Sequence, residues 1–123
     1  MSQTRADQLG ALYRAIIDRL VKDCEEGQGQ VVPRRIARGV WNANATADVL
    51  PDQFRINELL SSLGSEQHRA AFAAVASDCF VAGVHQTLVA LHEAGIKPFD
   101  DGVEGTPFAD FIGRLQGWEW PDA

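Results

Sequence analysis

The sequence lacks the features that mark several large classes of protein. It has two cysteines in 123 residues, and its longest apolar run is the seven residues Ala70–Ala76. A membrane-spanning helix needs about 20 apolar residues, so we predict no membrane association. Residues 1–10 are polar, without the apolar stretch of an export signal. We therefore expect a cytoplasmic protein in which Cys24 and Cys79 are reduced thiols, buried on apolar helix faces.

Sequence patterns of common active sites are also missing. The chain contains no GxSxG, P-loop or GxGxxG pattern and no CxxC pair. Neither cysteine has a histidine placed by sequence to activate it. We therefore name no catalytic residue, no cofactor and no metal site, and we favour a non-enzymatic role.

Basic residues are fewer than acidic ones, 11 against 17, which gives a net charge of −6 at pH 7. This balance opposes attraction to nucleic acid and to anionic membranes, so we predict neither as a partner. Apolar residues make up 46% of the chain and charged residues 23%, which is typical of a soluble globular protein. The length predicts one domain, residues 1–123.

One stretch, residues 66–94, is the element around which we expect the rest of the chain to pack. It begins after Gly64-Ser65 and ends at Gly95, both of which are helix boundary signals. Apolar residues cover most of its circumference, which is typical of a helix buried on several sides. At about 43 Å it is longer than the roughly 35 Å diameter of a compact chain of this size. We therefore expect it to bend, to break near Asp78 or Gly83, or to project at one end.

The remaining patterns are also helical, and no segment shows the sustained alternation of a β-strand. We predict an all-α, single-domain bundle of about five helices around this central helix. Four other helices are predicted. The first begins at Thr4 and ends before Gly27, and the second runs from Pro33 to about Ala45. The third runs from about Asp52 to Leu63, and the last from Pro107 to Gln116.

The candidate ligand site is a basic cluster, Arg34, Arg35 and Arg38, with Trp41 three residues after Arg38. The predicted helix begins at Pro33, and cations are disfavoured at a helix N-terminus, so something negative should compensate. An acidic side chain of the same protein is the favoured partner, and a small anion or a protein partner is the next. Nucleic acid is the weakest reading, because such surfaces carry more lysine and arginine. Trp41 is placed to stack on Arg38.

Three further groups invite a functional reading. Asp78, His85 and His92 lie seven residues apart on one helical stripe, but about 10.5 Å of rise separates successive members, too far for one metal ion. We interpret them as separately satisfied polar residues. Asp100, Asp101 and Glu104 form an acidic loop that fails the calcium-loop spacing, so we expect it to be solvated.

Trp118 and Trp120 lie two residues apart near the end of the chain, so both should be buried together. They either pack on the protein's own helices or bind a second chain, since aromatic anchors dominate interfaces. Together with the apolar central helix, this pair leads us to predict a protein-interaction module that self-associates, most simply as a homodimer. An unknown protein partner is the other alternative. The alternative is a small-molecule or anion-binding protein, or an enzyme, that uses the arginine cluster and Trp41.

The last third of the chain, LHEAGIKPFDDGVEGTPFADFIGRLQGWEWP, resembles the end of a small family of uncharacterised bacterial proteins. The resemblance implies a bacterial source and an unknown function. It implies no activity, ligand or site.

Overall fold

The computed structural model describes residues 4–121, and none of them lies in a β-strand. The all-α prediction is therefore confirmed for this part of the chain. A short 3-10 turn, Gln28–Gln30, precedes the second helix. The α-helices are α1 (Arg5–Glu25), α2 (Val31–Arg38), α3 (Pro51–Ser62), α4 (Glu66–Glu93) and α5 (Pro107–Leu115).

Local capping explains where two of these helices begin. The Asp7 amide donates to Thr4 Oγ1 at 3.1 Å, and the Thr4 amide donates to the Asp7 carboxylate at 3.4 Å, a reciprocal cap for α1. Thr106 Oγ1 accepts from the Ala109 amide at 3.3 Å, and Pro107 fills the first turn of α5. Both starts follow from side chains close in sequence, which is why the sequence predicts them.

Contacts divide the chain into two compact units. The described residues of 1–25 and 81–123 form one, called here the terminal unit, and residues 26–80 form the other, the inserted unit. Helix α4 contributes residues to both. The prediction of one domain over residues 1–123 is not tested by this division and stays a prediction.

The terminal unit has a well-defined core in which α1 contacts α5. Tyr13 and Ile17 of α1, Leu88 of α4 and Phe111 of α5 are all buried. The rings of Phe99 and Trp120 each lie 6.0 Å from the Tyr13 ring, centroid to centroid. Side chains from both ends of the chain therefore share this core.

The inserted unit buries much less apolar surface. Its buried side chains are Pro33, Ala45 and Leu60. Seven of its large apolar side chains are at least 37% exposed, namely Val32, Val40, Val49, Leu50, Leu59, Phe72 and Val75. Folding of the chain therefore leaves a large apolar area of this unit in water.

Helix α4 matches the predicted boundaries, but the prediction that neighbours bury it on several sides is wrong. Leu88 is the one buried residue of its 28, and the helix continues unbroken through Asp78 and Gly83. The reason is alanine, which makes the helix apolar in sequence while offering little area to bury. We call the exposed side the outer stripe, comprising Phe72, Val75, Cys79, Ala82, Gly83, Gln86 and Ala90.

By length and composition alone, α4 is also apolar enough to cross a membrane. The sequence analysis missed this because it counted uninterrupted apolar residues, whereas α4 is apolar on average with few charges. Such a helix occurs in soluble proteins as well, so the observation only widens the choice of partners for the outer stripe.

The two cysteines differ in exposure. Cys24 is buried, and burial, followed by the charges of Asp23 and Glu25, raises the pKa of its thiol. Cys79 is exposed on the outer stripe, so the prediction that it is a core thiol is wrong. It fails for the same reason as the prediction for α4, since Cys79 faces the uncovered side.

Candidate functional site

The candidate ligand site lies on one side of α2, in the inserted unit. Val31, Arg34, Arg35 and Arg38 follow the three- and four-residue steps that bring side chains onto one helix face. Together with Ala37 they line an open groove of about 530 Å³. We call Arg34, Arg35 and Arg38 the arginine face.

The favoured reading of this cluster was internal ion pairing, but the structure shows no carboxylate paired with it. Among residues 4–121, the ion pairs within 4.0 Å involve Arg19, Arg55 and Arg114 and none of the arginine face. Arg34 instead donates to the backbone carbonyl of Glu26 at 3.4 Å. The sequence shows one cause, because no acidic residue occurs between Glu26 and Asp48.

Trp41 stacks on a different arginine from the one the sequence predicts. The Arg35 guanidinium lies 5.3 Å from the Trp41 ring centroid, whereas the i to i+3 spacing predicted Arg38. The predicted helix, Pro33 to about Ala45, is too long: α2 ends at Arg38, and Gly39 has a φ of 78°. The Gly39 amide donates to the carbonyls of Arg35 and Ile36, so the chain turns back and brings Trp41 over Arg35.

A side chain from α3 holds this turn in place. Asn57 Oδ1 accepts from the Trp41 amide at 2.6 Å and from the Asn42 amide at 3.0 Å. Asn57 Nδ2 donates to the Asn42 carbonyl at 2.7 Å. Asn57 therefore holds the backbone of residues 41 and 42, which carries the Trp41 ring over Arg35.

The end of α2 also receives a fourth arginine, which sequence reasoning missed. Arg69 of α4 donates from Nε to the Ala37 carbonyl at 3.2 Å. Its Cδ atom lies 3.4 Å from the position that a Cβ atom on Gly39 would occupy. Only the fold brings Arg69 here, so no local pattern could have indicated it.

The helix dipole acts on the arginine face differently from the sequence prediction. Because α2 begins at Val31, Arg35 and Arg38 lie in its last turn, where the helix dipole favours cations. An anion is therefore not needed to offset the dipole. What remains is a set of neighbouring guanidinium groups that have no carboxylate partner among the described residues.

The histidine stripe divides between the two units. His85 and His92 pack on the same ring, with centroids 5.3 and 5.8 Å from that of Phe108 in α5. His92 Nδ1 is buried without a hydrogen-bond partner in the described part of the chain, and Asp78 is exposed in the inserted unit. Within residues 4–121 no three histidine, cysteine or acidic side chains are grouped so that they could hold a metal ion.

The double-tryptophan tail contacts its own chain. Trp120 Nε1 donates to both carboxylate oxygens of Asp18, at 3.1 and 3.0 Å, and its ring lies 5.1 Å from that of Trp118. The guanidinium groups of Arg14 and Arg114 each lie 5.5 Å from the Trp120 ring. Both tryptophans are half-buried, so a role at an interface between chains stays a prediction.

The most elaborate polar cluster centres on Asp110, which the sequence analysis did not single out. Its buried carboxylate accepts from the Tyr13 hydroxyl at 2.5 Å and from the amides of Val103 and Glu104 at 2.7 and 3.2 Å. Burial, followed by the hydrogen bond and the charge of Asp110, raises the pKa of Tyr13 well above its usual value. With three donors satisfied, Asp110 fixes the loop before α5 and has a structural role.

The acidic loop forms local hydrogen bonds. Asp101 Oδ1 accepts from the Gly102 amide at 2.9 Å, and the Glu104 amide is held by Asp110. Asp100, Asp101 and Glu104 are exposed. The expectation of a solvated loop is consistent with this exposure.

Comparison with known proteins adds one finding. The profile of a family of unknown function, DUF6547, matches residues 6–122. The chain belongs to this family. The resemblance noted in the last third therefore extends over nearly the whole chain, including the arginine face. No curated protein and no solved structure matches the chain.

Proposed function

We propose that the protein is a small, non-enzymatic interaction module that forms a homodimer through the outer stripe of α4. The observation that supports this most is the poor burial of the inserted unit. Phe72 is 51% exposed and Val75 61% exposed, on a helix face without a charged residue from Phe72 to Ala90. Exposed apolar patches of this kind mark contact surfaces in soluble proteins.

The spacing of the stripe suits a second helix. Phe72, Val75, Cys79, Ala82 and Gln86 follow alternating steps of three and four residues, the pattern of helices that pack side by side. The stripe from Phe72 to Ala90 is about 27 Å long. A partner helix of comparable length would cover it, and α4 of a second copy has that length.

Side-chain size favours an antiparallel pair. The bulky residues Phe72 and Val75 lie toward one end of the stripe, and Ala82, Gly83 and Ala90 toward the other. A two-fold axis at Cys79 would place Val75 of each copy opposite Gly83 of the other, and Phe72 opposite Gln86. A symmetric dimer uses the same patch on both subunits, and this patch is complementary to itself only in that orientation.

Asp78 argues against the membrane as the partner of the stripe. It is exposed near the middle of α4, where a charged side chain in the bilayer centre costs about 2.5–3.5 kcal/mol or more. In the antiparallel dimer, Asp78 would lie at the edge of the contact and remain exposed to solvent. Two copies would bring their Asp78 carboxylates near the axis, so we expect Asp78→Asn to strengthen the dimer.

We also propose a cytoplasmic location, supported by the free, exposed thiol of Cys79, which suits a reducing compartment. The tryptophan pair is a weaker candidate for the contact than α4. Trp120 already donates to Asp18 of its own chain.

Sedimentation velocity over a range of concentrations tests the dimer with a matched pair of variants. Val75→Glu places a charge on the stripe and should shift the protein to monomer. Val49→Glu is the control, because Val49 is 62% exposed and lies outside α4, and it should leave the dimer intact. Circular dichroism checks that both variants keep their helices.

Oxidation tests whether Cys79 lies at the contact between the two copies. Mild oxidation should form a disulfide between the Cys79 residues of two chains. The Cys79→Ser variant should lack this covalent link, and buried Cys24 should stay reduced. A wild-type protein that remains monomeric at every concentration would refute the proposal. Two other results would also refute it. Either Val49→Glu weakens the dimer as much as Val75→Glu does, or the protein co-sediments with lipid vesicles and Val75→Glu prevents this.

A further inference from the structure

The arginine face of α2 is a second surface, separate from the outer stripe, and the inference drawn from it does not depend on the dimer. We infer that it binds a small phosphate-bearing anion. Three guanidinium groups line one open groove, in a chain whose net charge is −6. None of the three has a carboxylate within 4.0 Å among residues 4–121.

Two of the three arginines are restrained before any ligand arrives. Asn57 holds the Trp41 backbone, and the Trp41 ring lies against Arg35 at 5.3 Å. Arg34 donates to the Glu26 carbonyl. A solvated surface arginine has no need of such partners, whereas a binding group gains affinity when its conformation is set in advance.

The chemistry of the groove selects the ligand class. A guanidinium group presents paired N–H donors that match the oxygens of a phosphate, and adjacent arginines on one helix face can hold one phosphate together. Arg34 and Arg38 are about 6 Å apart along the helix axis. Val31 and Ala37 supply an apolar part of the lining for the organic portion of a phosphate ester.

Trp41 acts as a positioning residue in this proposal. It is absent from the lining of the groove, so it would influence the ligand through Arg35. Trp41→Phe keeps an aromatic face for Arg35 and should bind nearly as well as wild type. Trp41→Ala removes that face and should weaken binding several-fold.

The test is a titration of the ¹⁵N-labelled protein with pyrophosphate, followed by NMR at fixed ionic strength. Inorganic phosphate and a simple phosphate ester form the other arms, and sodium chloride is the salt control. We expect saturable shifts of α2 amides and of the Trp41 indole N–H. Arg35→Gln or Arg38→Gln should weaken pyrophosphate binding about tenfold, the equivalent of about 1.4 kcal/mol.

Arg55→Gln is the matched control, because Arg55 is an exposed arginine of α3 in the same unit. It should change affinity less than twofold. The inference is overturned if none of the phosphates gives saturable shifts, or if Arg55→Gln weakens binding as much as Arg35→Gln. It is also overturned if an acidic peptide or a short DNA duplex binds the arginine face more tightly than pyrophosphate. Because no stripe residue is altered, failure here would leave the dimer proposal standing.

Discussion

At the scale of single residues, the most consequential one is Asp110. It is 2% exposed, and a buried carboxylate is costly unless its oxygens accept hydrogen bonds. The Tyr13 hydroxyl donates to this carboxylate from α1, and the Val103 and Glu104 amides donate to it from the preceding loop. One side chain thus joins the first helix, the last helix and the loop between α4 and α5.

This environment gives Tyr13 an unusual titration. Because its pKa is raised in the folded protein, the stabilising contribution of the neutral hydroxyl is fully present below about pH 10, the unfolded value. It is lost as the pH rises above that value, where the unfolded chain releases the proton first. The chain has one tyrosine, so the ultraviolet absorbance of tyrosinate reports this residue alone. We expect no tyrosinate in the folded protein at pH values where the urea-unfolded protein has fully ionised.

Tyr13→Phe provides the control for this titration. The variant should show no tyrosinate absorbance, and its free energy of unfolding should lose the Tyr13 contribution to the decline above about pH 10. Ionisation of the folded wild-type protein near pH 10 would contradict the buried hydrogen bond to Asp110.

At the scale of elements, the end of α2 decides the geometry of the arginine face. Gly39 has a φ of 78°, a left-handed conformation that other residues adopt at a cost, and this turn brings Trp41 over Arg35. The sequence analysis did not read Gly39 as a stop signal and extended the helix to about Ala45. The actual end depends on Asn57 and Arg69, which local periodicity does not reveal.

Two glycine substitutions test this account in opposite directions. Gly39→Ala should destabilise the protein by about 1–2 kcal/mol, because alanine resists a positive φ. Gly10→Ala should stabilise it by about 0.5–1 kcal/mol, since Gly10 lies inside α1 with no atom within 4 Å of an added Cβ. Urea unfolding monitored by circular dichroism measures both. A neutral Gly39→Ala would mean that this turn does not constrain α2.

The elements show which parts of the fold the sequence can predict. The bounds of α4 and the start of α5 follow from Ser65, Thr106 and Pro107, whose capping and conformational preferences act within a few residues. The burial of α4 was mispredicted because alanine is apolar without being large. Asp110 and Asn57 escaped notice because their partners are distant in sequence or are backbone groups, so neither has a recognisable spacing.

At the scale of the whole molecule, Asp18 connects the first helix to the end of the chain. It accepts from Arg114 Nε at 2.7 Å and from the indole of Trp120. Arg114 also donates to the Trp118 carbonyl at 2.6 Å. The tail is therefore held by hydrogen bonds that span almost the full length of the sequence.

Asp18→Ala should lower the free energy of unfolding by about 1–3 kcal/mol, because it leaves two partly buried donors unsatisfied. Asp23→Ala is the matched control on the same helix. Its carboxylate pairs with Arg19 four residues away, and such surface pairs contribute only about 0.3–0.5 kcal/mol. Chemical denaturation followed by tryptophan fluorescence measures both, and equal effects would show that the tail bonds add nothing.

The insertion of residues 26–80 between the two halves of the terminal unit affects how the protein is made. On the ribosome, α1 emerges before Asp110, Arg114 and Trp120, with which its side chains pair. Domains usually fold in the order of synthesis, but here residues 26–80 are made before α1 can meet these partners. The apolar side of the nascent α1 therefore stays uncovered until α5 and the tryptophan tail have been translated.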